Sequence, residues 1–255
     1  MSVDFGKTAF DYRKHRSGFP SEFFWSLNRC GVGLRGQRIL DLGTGTGTLA
    51  RGFALQGASV CAIDIALPLI EQAKHIDREN GVFIDYMQVP AEQLPYESGS
   101  FDVVTAGQCW HWFDRARAAA EAFRVLHEGG MLVISHFDWL PIKNTVVAET
   151  EKLILQYNPR WAMAGTTGMY PQWCEDLTLA GFEEIRTQSF DTKVEYTHER
   201  WRGRIRASAG VAASLPAEEV SDFDDALAKM LKMRFSEQPM QLLHRVWTLI
   251  CHKPY

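Results

Sequence analysis

An acid and three alternating glycines carry the clearest chemical signal in this sequence. Asp41 ends a short apolar run, and Gly43, Gly45 and Gly47 follow at every second position before a helical pattern begins. This order predicts a strand, a tight turn and a helix, the first unit of a parallel α/β sheet. Glycine lets the backbone approach a bound molecule closely, and a helix N-terminus points unpaired N–H groups at the same place. The stretch predicts a ligand-binding turn beside a carboxylate.

The spacing of the glycines indicates which ligand the turn binds. A dinucleotide site has the pattern Gly-x-Gly-x-x-Gly, because a pyrophosphate must sit on the helix N-terminus. Here the pattern is Gly43-x-Gly45-x-Gly47, and Asp41 precedes it. A carboxylate repels a phosphate but attracts an ammonium or sulfonium group. The turn therefore predicts a cationic, phosphate-free ligand, which fits S-adenosylmethionine.

Two further acids follow predicted strands of the same sheet. Asp64 ends the buried run Ser59–Ile63, where a carboxylate can accept two hydrogen bonds from a ribose diol. A dinucleotide and an adenosyl cofactor both need that contact, so Asp64 does not indicate which of the two classes is bound. Ala91-Glu92 follows the third predicted strand and can lie against an adenine ring; the alternative is an ordinary polar loop. The order of these residues after Asp41 and the glycines favours the adenine site.

A histidine among aromatic residues follows the fourth predicted strand. His111 lies between Trp110 and Trp112, with Phe113 next in the chain. Ligands of open α/β sheets bind at the carboxyl ends of central strands, and histidine titrates near neutral pH. His111 is therefore a candidate general base. The alternative is a structural histidine that bonds to the backbone within an aromatic wall.

The lead-in over residues 8–30 offers two more candidates for the cofactor site. Tyr12 and Arg16 can belong to a flap over the cofactor, with the Arg16 guanidinium meeting a carboxylate in a bidentate pair. The alternative is a solvated helix face.

Bulk properties restrict the class of protein. With 46% hydrophobic and 23% charged residues among 255, the chain can build a sizeable core. A net charge of −4 argues against a dedicated nucleic-acid binder, and no membrane partner is expected. No secretory signal or membrane-spanning run is visible, which predicts a cytoplasmic protein. The five cysteines are scattered without a Cys-x-x-Cys pair, so we expect reduced, buried thiols and no metal site.

The domain organisation follows from where the strand–helix alternation stops. We predict a lead-in and cofactor-binding core over 1–137, a cap insertion over 138–170, more core over 171–190, a helical cap over 191–241 and a last core strand over 242–255.

Four cap arginines lie at alternate positions from Arg200 to Arg206. On a helix, 200 and 204 share one face and 202 and 206 another. These residues form either a solvated basic face or a pair that steers an acidic substrate. The tryptophans at 139, 161, 173 and 201 suggest a planar or apolar acceptor, and the alternative is core packing.

Taken together in this order, the motifs resemble those of the class I S-adenosylmethionine-dependent methyltransferases. The motifs that carry the resemblance are Asp41-x-Gly43-x-Gly45-x-Gly47, Asp64, Ala91-Glu92-x-Leu94-Pro95, Ser100-Phe101-Asp102-Val103-Val104 and Ala180-Gly181-Phe182. Gln108 followed by His111-Trp112-Phe113 is similar to the small-molecule branch that includes trans-aconitate methyltransferases. Ser17 and His127-Glu128-Gly129-Gly130 depart from that branch's pattern, in which a proline and Lys-Pro-Gly-Gly are usual.

The resemblance implies a role for each motif. Asp41 and the glycine turn would hold the methionine part of S-adenosylmethionine, Asp64 the ribose, Ala91-Glu92 the adenine, and Gln108 would lie near the methionine end. Thr44 and Ile65 adjoin these motifs and are counted with them as cofactor contacts. The implied fold is a Rossmann-like seven-stranded sheet, mostly parallel with an antiparallel last strand, flanked by helices and carrying a helical cap.

The predicted function is methyl transfer to a small-molecule acceptor, either a carboxylate or an aromatic or heterocyclic metabolite, at O, N or C. One alternative is an NAD(P)-dependent oxidoreductase, which leaves Asp41 and Glu92 unexplained. Another is a non-catalytic protein that binds S-adenosylmethionine. Strand four is not followed by Asn/Asp-Pro-Pro-Tyr/Phe, the pattern of amino-group nucleic-acid methylases. The sequence leaves the acceptor and the oligomeric state open.

Overall fold

The computed structural model describes residues 18–255. Tyr12 and Arg16 therefore lie outside the described residues. The described part contains a seven-stranded sheet. Its strands are β1 (Arg38–Leu42), β2 (Ser59–Asp64), β3 (Asp85–Gln88), β4 (Phe101–Gly107), β5 (Leu126–Trp139), β6 (Glu183–Tyr196) and β7 (Met240–His252).

Helices follow most of the strands along the chain. In the described residues they are α1 (Ser21–Arg29), α2 (Thr48–Leu55), α3 (Leu67–Asn80), α4 (Arg115–Val125), α5 (Val146–Tyr157), α6 (Trp173–Leu179), α7 (His198–Arg206) and α8 (Ala217–Arg234). A short 3-10 helix, Trp110–Trp112, separates β4 from α4.

The strand order is β3-β2-β1-β4-β5-β7-β6. The pairs β1–β2, β2–β3, β1–β4 and β4–β5 are parallel. Strand β7 runs the other way, because Gly129 N donates to Lys253 O at one end of β5 while Leu140 N donates to Leu243 O at the other. The predicted Rossmann-like sheet with an antiparallel last strand is confirmed.

The central strands form because their side chains are buried on both faces. In β1, every residue after Arg38 is buried, and in β4 five of seven are. Such continuous apolar runs are typical of parallel strands that are covered by helices on both sides. One core cluster joins these strands to α4 and α6 through residues such as Leu40, Val104 and Ala119. The sheet therefore holds the carboxyl ends of β1, β2 and β4 in fixed positions.

Two predicted boundaries are wrong, one for a local reason and one because of a distant strand. The sequence predicts the third strand over Val82–Met87, but β3 begins at Asp85, because Val82 N still bonds to Asp77 O at the end of α3. The glycine pair Gly129-Gly130 predicts the end of the helix before strand five. Helix α4 instead ends at Val125, and both glycines lie inside β5, where Gly129 pairs with Lys253.

The chain divides into two compact units. Within the described residues, one unit comprises 18–137, 170–190 and 246–255, and the other comprises 138–169 and 191–245. The second unit has its own buried cluster, which includes Trp139, Trp201 and Phe223. Its role as a cap stays a prediction.

Candidate functional site

The predicted cofactor residues gather at one edge of the sheet. Asp41 lies at the end of β1, Asp64 ends β2, and Gln108 directly follows β4. Strands β1 and β4 are neighbours, and the order of strands reverses between them. Open α/β sheets bind ligands at this reversal, outside the carboxyl ends of the strands. The fold therefore brings residues 41, 64 and 108 to the edge at which open α/β sheets bind ligands.

The turn requires glycine for two reasons, its backbone conformation and the lack of room for a side chain. Gly43, Gly45 and Gly47 have φ values of 57°, 57° and 77°, a region that disfavours residues with a Cβ. A Cβ on Gly43 would lie 2.9 Å from Cys109 Cβ and 3.0 Å from Phe113 Cζ. Thr44 N donates to Ile63 O at 2.9 Å, which ties the turn to β2. A side chain at Gly43 would therefore collide with Cys109 and Phe113, so this position of the turn has room only for glycine.

Asp41 is a buried carboxylate with a neutral partner. It is 1% exposed, and its Oδ1 accepts a 2.7 Å hydrogen bond from Thr105 Oγ1. Burial raises the pKa of Asp41 to about 6, against the lowering effect of this hydrogen bond. Among residues 18–255, no basic side chain forms an ion pair with Asp41. A buried carboxylate is costly without a cation, so the site favours a positively charged ligand group.

Asp64 links the glycine turn to the end of β2. Its Oδ2 accepts from Gly45 N and its Oδ1 from Ala66 N, both at 2.8 Å. Burial raises its pKa. Each carboxylate oxygen can accept a second hydrogen bond, so the pair can still receive the two hydroxyls of a diol. The neighbouring Ile65 is 71% exposed and offers an apolar surface at this end of the site.

The Ala91-Glu92 segment is more strongly engaged by the protein than the sequence suggested. Ala91 is buried in the core cluster. Glu92 Oε1 accepts a 2.9 Å hydrogen bond from Asp114 N, and Asp114 itself caps α4 by accepting from Arg117 N. One oxygen of Glu92 thus stabilises the entry to α4. A contact between adenine and Glu92 stays a prediction.

Gln108 adopts an unusual backbone conformation. Its φ is 66°, which few non-glycine residues adopt and which often marks a functional position. Gln108 N donates to Ser135 O at 2.9 Å, and Nε2 donates to Phe137 O at 2.5 Å. These bonds turn the chain sharply at the end of β4 and anchor the side chain to β5.

His111 lies in the 3-10 helix, and a second histidine accompanies it. The rings of His111 and His136 are 5.3 Å apart between centroids. His136 is 1% exposed and packs 4.3 Å from Tyr170 and 4.9 Å from Trp173. Sequence reasoning missed His136, although a polar residue within an otherwise apolar strand is a signal that could have found it.

The sequence analysis did not identify Thr105 either, although it too is a polar residue within an apolar strand. It is a fully buried polar residue within the apolar β4, and its hydroxyl orients Asp41. Arg51, Asp77 and Tyr86 were also missed, and they lie behind the glycine turn.

The four arginines of the second unit and the four tryptophans considered as an acceptor wall have structural roles within the described residues. Arg202 and Arg206 share Asp224, whereas Arg204 lies over the Trp139 ring and Arg200 over the Tyr196 ring. The predicted division of the four arginines into two faces is confirmed. The tryptophans at 139, 161, 173 and 201 are all buried, which confirms core packing.

Other side-chain features bear on the predicted class. Cys30 is exposed, contrary to the expectation of buried thiols, whereas Cys109 and Cys251 are buried. Within residues 18–255, no group of three or more His, Cys, Asp or Glu side chains has the arrangement of a metal site. No helix of that part combines the length and the apolarity that crossing a bilayer requires. A cytoplasmic location stays a prediction.

Comparison with known proteins identifies the family. Residues 40–134 match the model of a methyltransferase domain. A ubiquinone biosynthesis O-methyltransferase of Xanthomonas oryzae pv. oryzae is 30% identical over 178 residues, which cover 69% of this chain and 72% of that protein. The chain belongs to the class I S-adenosylmethionine-dependent methyltransferase family. This membership favours the methyltransferase prediction over the oxidoreductase alternative, and the trans-aconitate branch stays a prediction.

Other relatives match a shorter part of the chain. An uncharacterized methyltransferase of Mycobacterium tuberculosis is 33% identical over 133 residues, 52% of this chain and 51% of that protein. The chain thus spans about half the length of this curated relative. Among solved structures, the YcgJ protein of Bacillus subtilis superposes with a TM-score of 0.60 at 20% identity, covering 92% of this chain and 99% of that one. This likeness is one of fold.

Proposed function

We propose that this protein transfers the methyl group of S-adenosylmethionine to a small-molecule acceptor. Family membership supports the reaction class, and the Asp41 site is the observation that carries the proposal. Asp41 is buried beside the glycine turn and has no basic partner in the described part of the chain. An ammonium or sulfonium group would supply the missing positive charge, whereas a phosphate would be repelled.

The residues at the sheet edge fit the parts of this cofactor. The glycine turn and Asp41 would hold the methionine part, and Asp64 would accept hydrogen bonds from the ribose. Ile65 and Ala91-Glu92 would border the adenine. S-adenosylmethionine supplies, when bound, a methyl group already activated by its positively charged sulfur. The chain's main task is to orient the acceptor and to exclude water, an effect that reaches about 7–11 kcal/mol in favourable cases.

The acceptor side is supported by the aromatic residues around His111. Tyr170 and Trp173 stack at 4.3 Å with an interplanar angle of 5°, and His136 lies against both. An acceptor that carries a proton at neutral pH, such as a phenol, needs a base, and His111 is the candidate. A carboxylate acceptor needs none. The Xanthomonas relative, named as an O-methyltransferase, supports oxygen as the acceptor atom.

Calorimetric titration of the protein with S-adenosylhomocysteine, and separately with NAD, tests the cofactor. We expect saturable heat with the first ligand and none with the second. Saturable heat with NAD alone would contradict the proposal.

Incubation with S-adenosylmethionine and a panel of phenols, amines and carboxylic acids then tests turnover, with S-adenosylhomocysteine release as the readout. If the protein binds S-adenosylmethionine but releases no S-adenosylhomocysteine with any acceptor of a broad panel, the result would support the non-catalytic alternative instead.

A further inference from the structure

A buried hydrogen-bond network lies behind the glycine turn and joins three elements. Arg51 of α2 bonds through Nε to Asp77 Oδ1 of α3 at 2.6 Å. Tyr86 of β3 donates its hydroxyl to Asp77 Oδ2 at 2.8 Å. Arg51 Nη2 donates to Thr46 O at 2.9 Å. The network therefore ends on a carbonyl of the turn itself.

The network is well shielded from water. The side chains of Arg51 and Asp77 are 13% and 6% exposed. Burial raises the pKa of Tyr86, so its phenol stays protonated and remains a donor. Both oxygens of Asp77 are used, and Arg51 Nη2 also reaches Ala73 O at 3.3 Å. Hydrogen bonds between charged groups are strong in such surroundings, and each group restricts its neighbours.

The shape of the turn depends on the same residues. Thr46 lies between Gly45 and Gly47, and Gly47 adopts φ 77° as the N-cap of α2. A Cβ on Gly47 would lie 2.4 Å from the Tyr86 hydroxyl and 3.0 Å from Arg51 Nη2. The network thus occupies the space beside Gly47 and holds the carbonyl next to it. On the other side, Gly45 N is held by Asp64.

We propose that Arg51, Asp77 and Tyr86 are positioning residues that set the affinity for the cofactor, because they hold the glycine turn in its binding conformation. This inference rests on the proposed function. A glycine-rich turn has many accessible conformations when it is released. If only a fraction of molecules holds the competent turn, the apparent affinity falls by that fraction. The three side chains therefore act through Thr46 and Gly47.

Three conservative variants remove one part of the network each. Tyr86→Phe deletes a single hydroxyl, and Asp77→Asn removes the negative charge of the carboxylate. Arg51→Lys keeps the positive charge but loses the guanidinium that bonds to Asp77 and Thr46 at once. The matched control is Asp224→Asn, which disrupts another arginine–carboxylate cluster, with Arg202 and Arg206, in the other unit.

Titration with S-adenosylhomocysteine, at a temperature where each variant is folded, gives the affinity. We expect the dissociation constant to rise at least fivefold in Tyr86→Phe and at least tenfold in Asp77→Asn and Arg51→Lys. The control should stay within twofold of the wild type. Hydrogen exchange of the segment 43–50 should be faster in the three variants and unchanged in the control.

The outcomes separate this inference from the proposed function. Variants that melt at lower temperature but bind with wild-type affinity would show that the network only stabilises the fold, and the inference would be wrong. Should Asp77→Asn fail to fold, Tyr86→Phe decides the question, because it changes one buried hydroxyl. A wild-type protein that gives no heat with S-adenosylhomocysteine would overturn the proposed function itself.

Discussion

Thr105 Oγ1 donates a 2.7 Å hydrogen bond to Asp41 Oδ1 across the pairing of β4 with β1. Thr105 is 0% exposed and Asp41 is 1% exposed. A hydroxyl satisfies one oxygen of the carboxylate and orients it, but it does not neutralise the charge. Within residues 18–255 no basic side chain compensates this buried anion, and a cationic ligand would relieve it.

Asp41→Asn should make the ligand-free protein more stable and weaken its binding of the cofactor. Asparagine keeps an oxygen for Thr105 but removes the buried charge. The shift of the Asp41 pKa from 3.8 to about 6 corresponds to about 3 kcal/mol of unfavourable ionisation. We expect the free energy of unfolding of the ligand-free variant at pH 7.5 to rise by up to that amount, measured by urea titration. Affinity for S-adenosylhomocysteine should fall at least tenfold. A variant that binds normally would contradict the role assigned to Asp41.

The raised pKa of Asp41 also predicts how stability depends on pH. The folded-state value of about 6 lies above the ordinary value of 3.8, so the group stabilises the fold below pH 3.8 and loses that contribution as the pH rises through 6. The unfolding free energy of the wild type, relative to that of Asp41→Asn, should therefore decline between about pH 4 and pH 6.5. Parallel pH profiles for the two proteins would show that Asp41 does not titrate in this range.

Ligand affinity should change in the opposite direction over the same interval. A cation beside Asp41 favours the carboxylate form, so binding of S-adenosylhomocysteine, which carries an ammonium group, should strengthen as the pH rises from about 5 to 7. Calorimetry at several pH values measures this slope. Asp41→Asn should lose most of the slope, and a slope that survives the substitution must come from another group.

Gly43→Ala should abolish cofactor binding through a steric clash. The new methyl would lie 2.9 Å from Cys109 Cβ at a φ of 57°. Gly36→Ala is the matched control, because Gly36 also has a positive φ, 85°, but nothing lies within 4 Å of its added Cβ. Both variants carry the backbone strain of alanine at positive φ, about 1 kcal/mol. Only Gly43→Ala should lose affinity for S-adenosylhomocysteine; equal losses in both variants would point to strain instead.

His111→Ala tests the proposed base. If His111 takes a proton from the acceptor, turnover should fall at least tenfold while cofactor affinity stays unchanged. His75→Ala is the control, since His75 is an exposed histidine of α3 that pairs with Glu79. A smaller loss of turnover in His111→Ala would favour the structural alternative. Once an acceptor is known, initial rates with each variant provide the measurement.

Much of the fold could be predicted because its signals are local. The buried run that ends in Asp64 predicted β2 within one residue. The sequence also predicts a helix over 217–235, after the break at Leu215-Pro216, and this helix is α8, Ala217–Arg234. Apolar periodicity and turn residues act over a few positions, so they can be recognised without the partners. The error at the end of helix α4 arose where a distant strand decides the conformation. Gly129-Gly130 lies in a strand because Lys253, more than a hundred residues away, pairs with it.

By itself, the sequence determined the order of strand, glycine turn and helix, and the carboxylates at the ends of β1 and β2. Spacing alone carries that information, since the turn and its helix are formed by neighbouring residues. Only the tertiary structure decided that Thr105 orients Asp41, that Glu92 bonds to Asp114 N, and that His136 lies beside His111. These contacts join residues on different elements. Their partners depend on strand register and helix packing, which the whole core determines together and which no short stretch of sequence specifies.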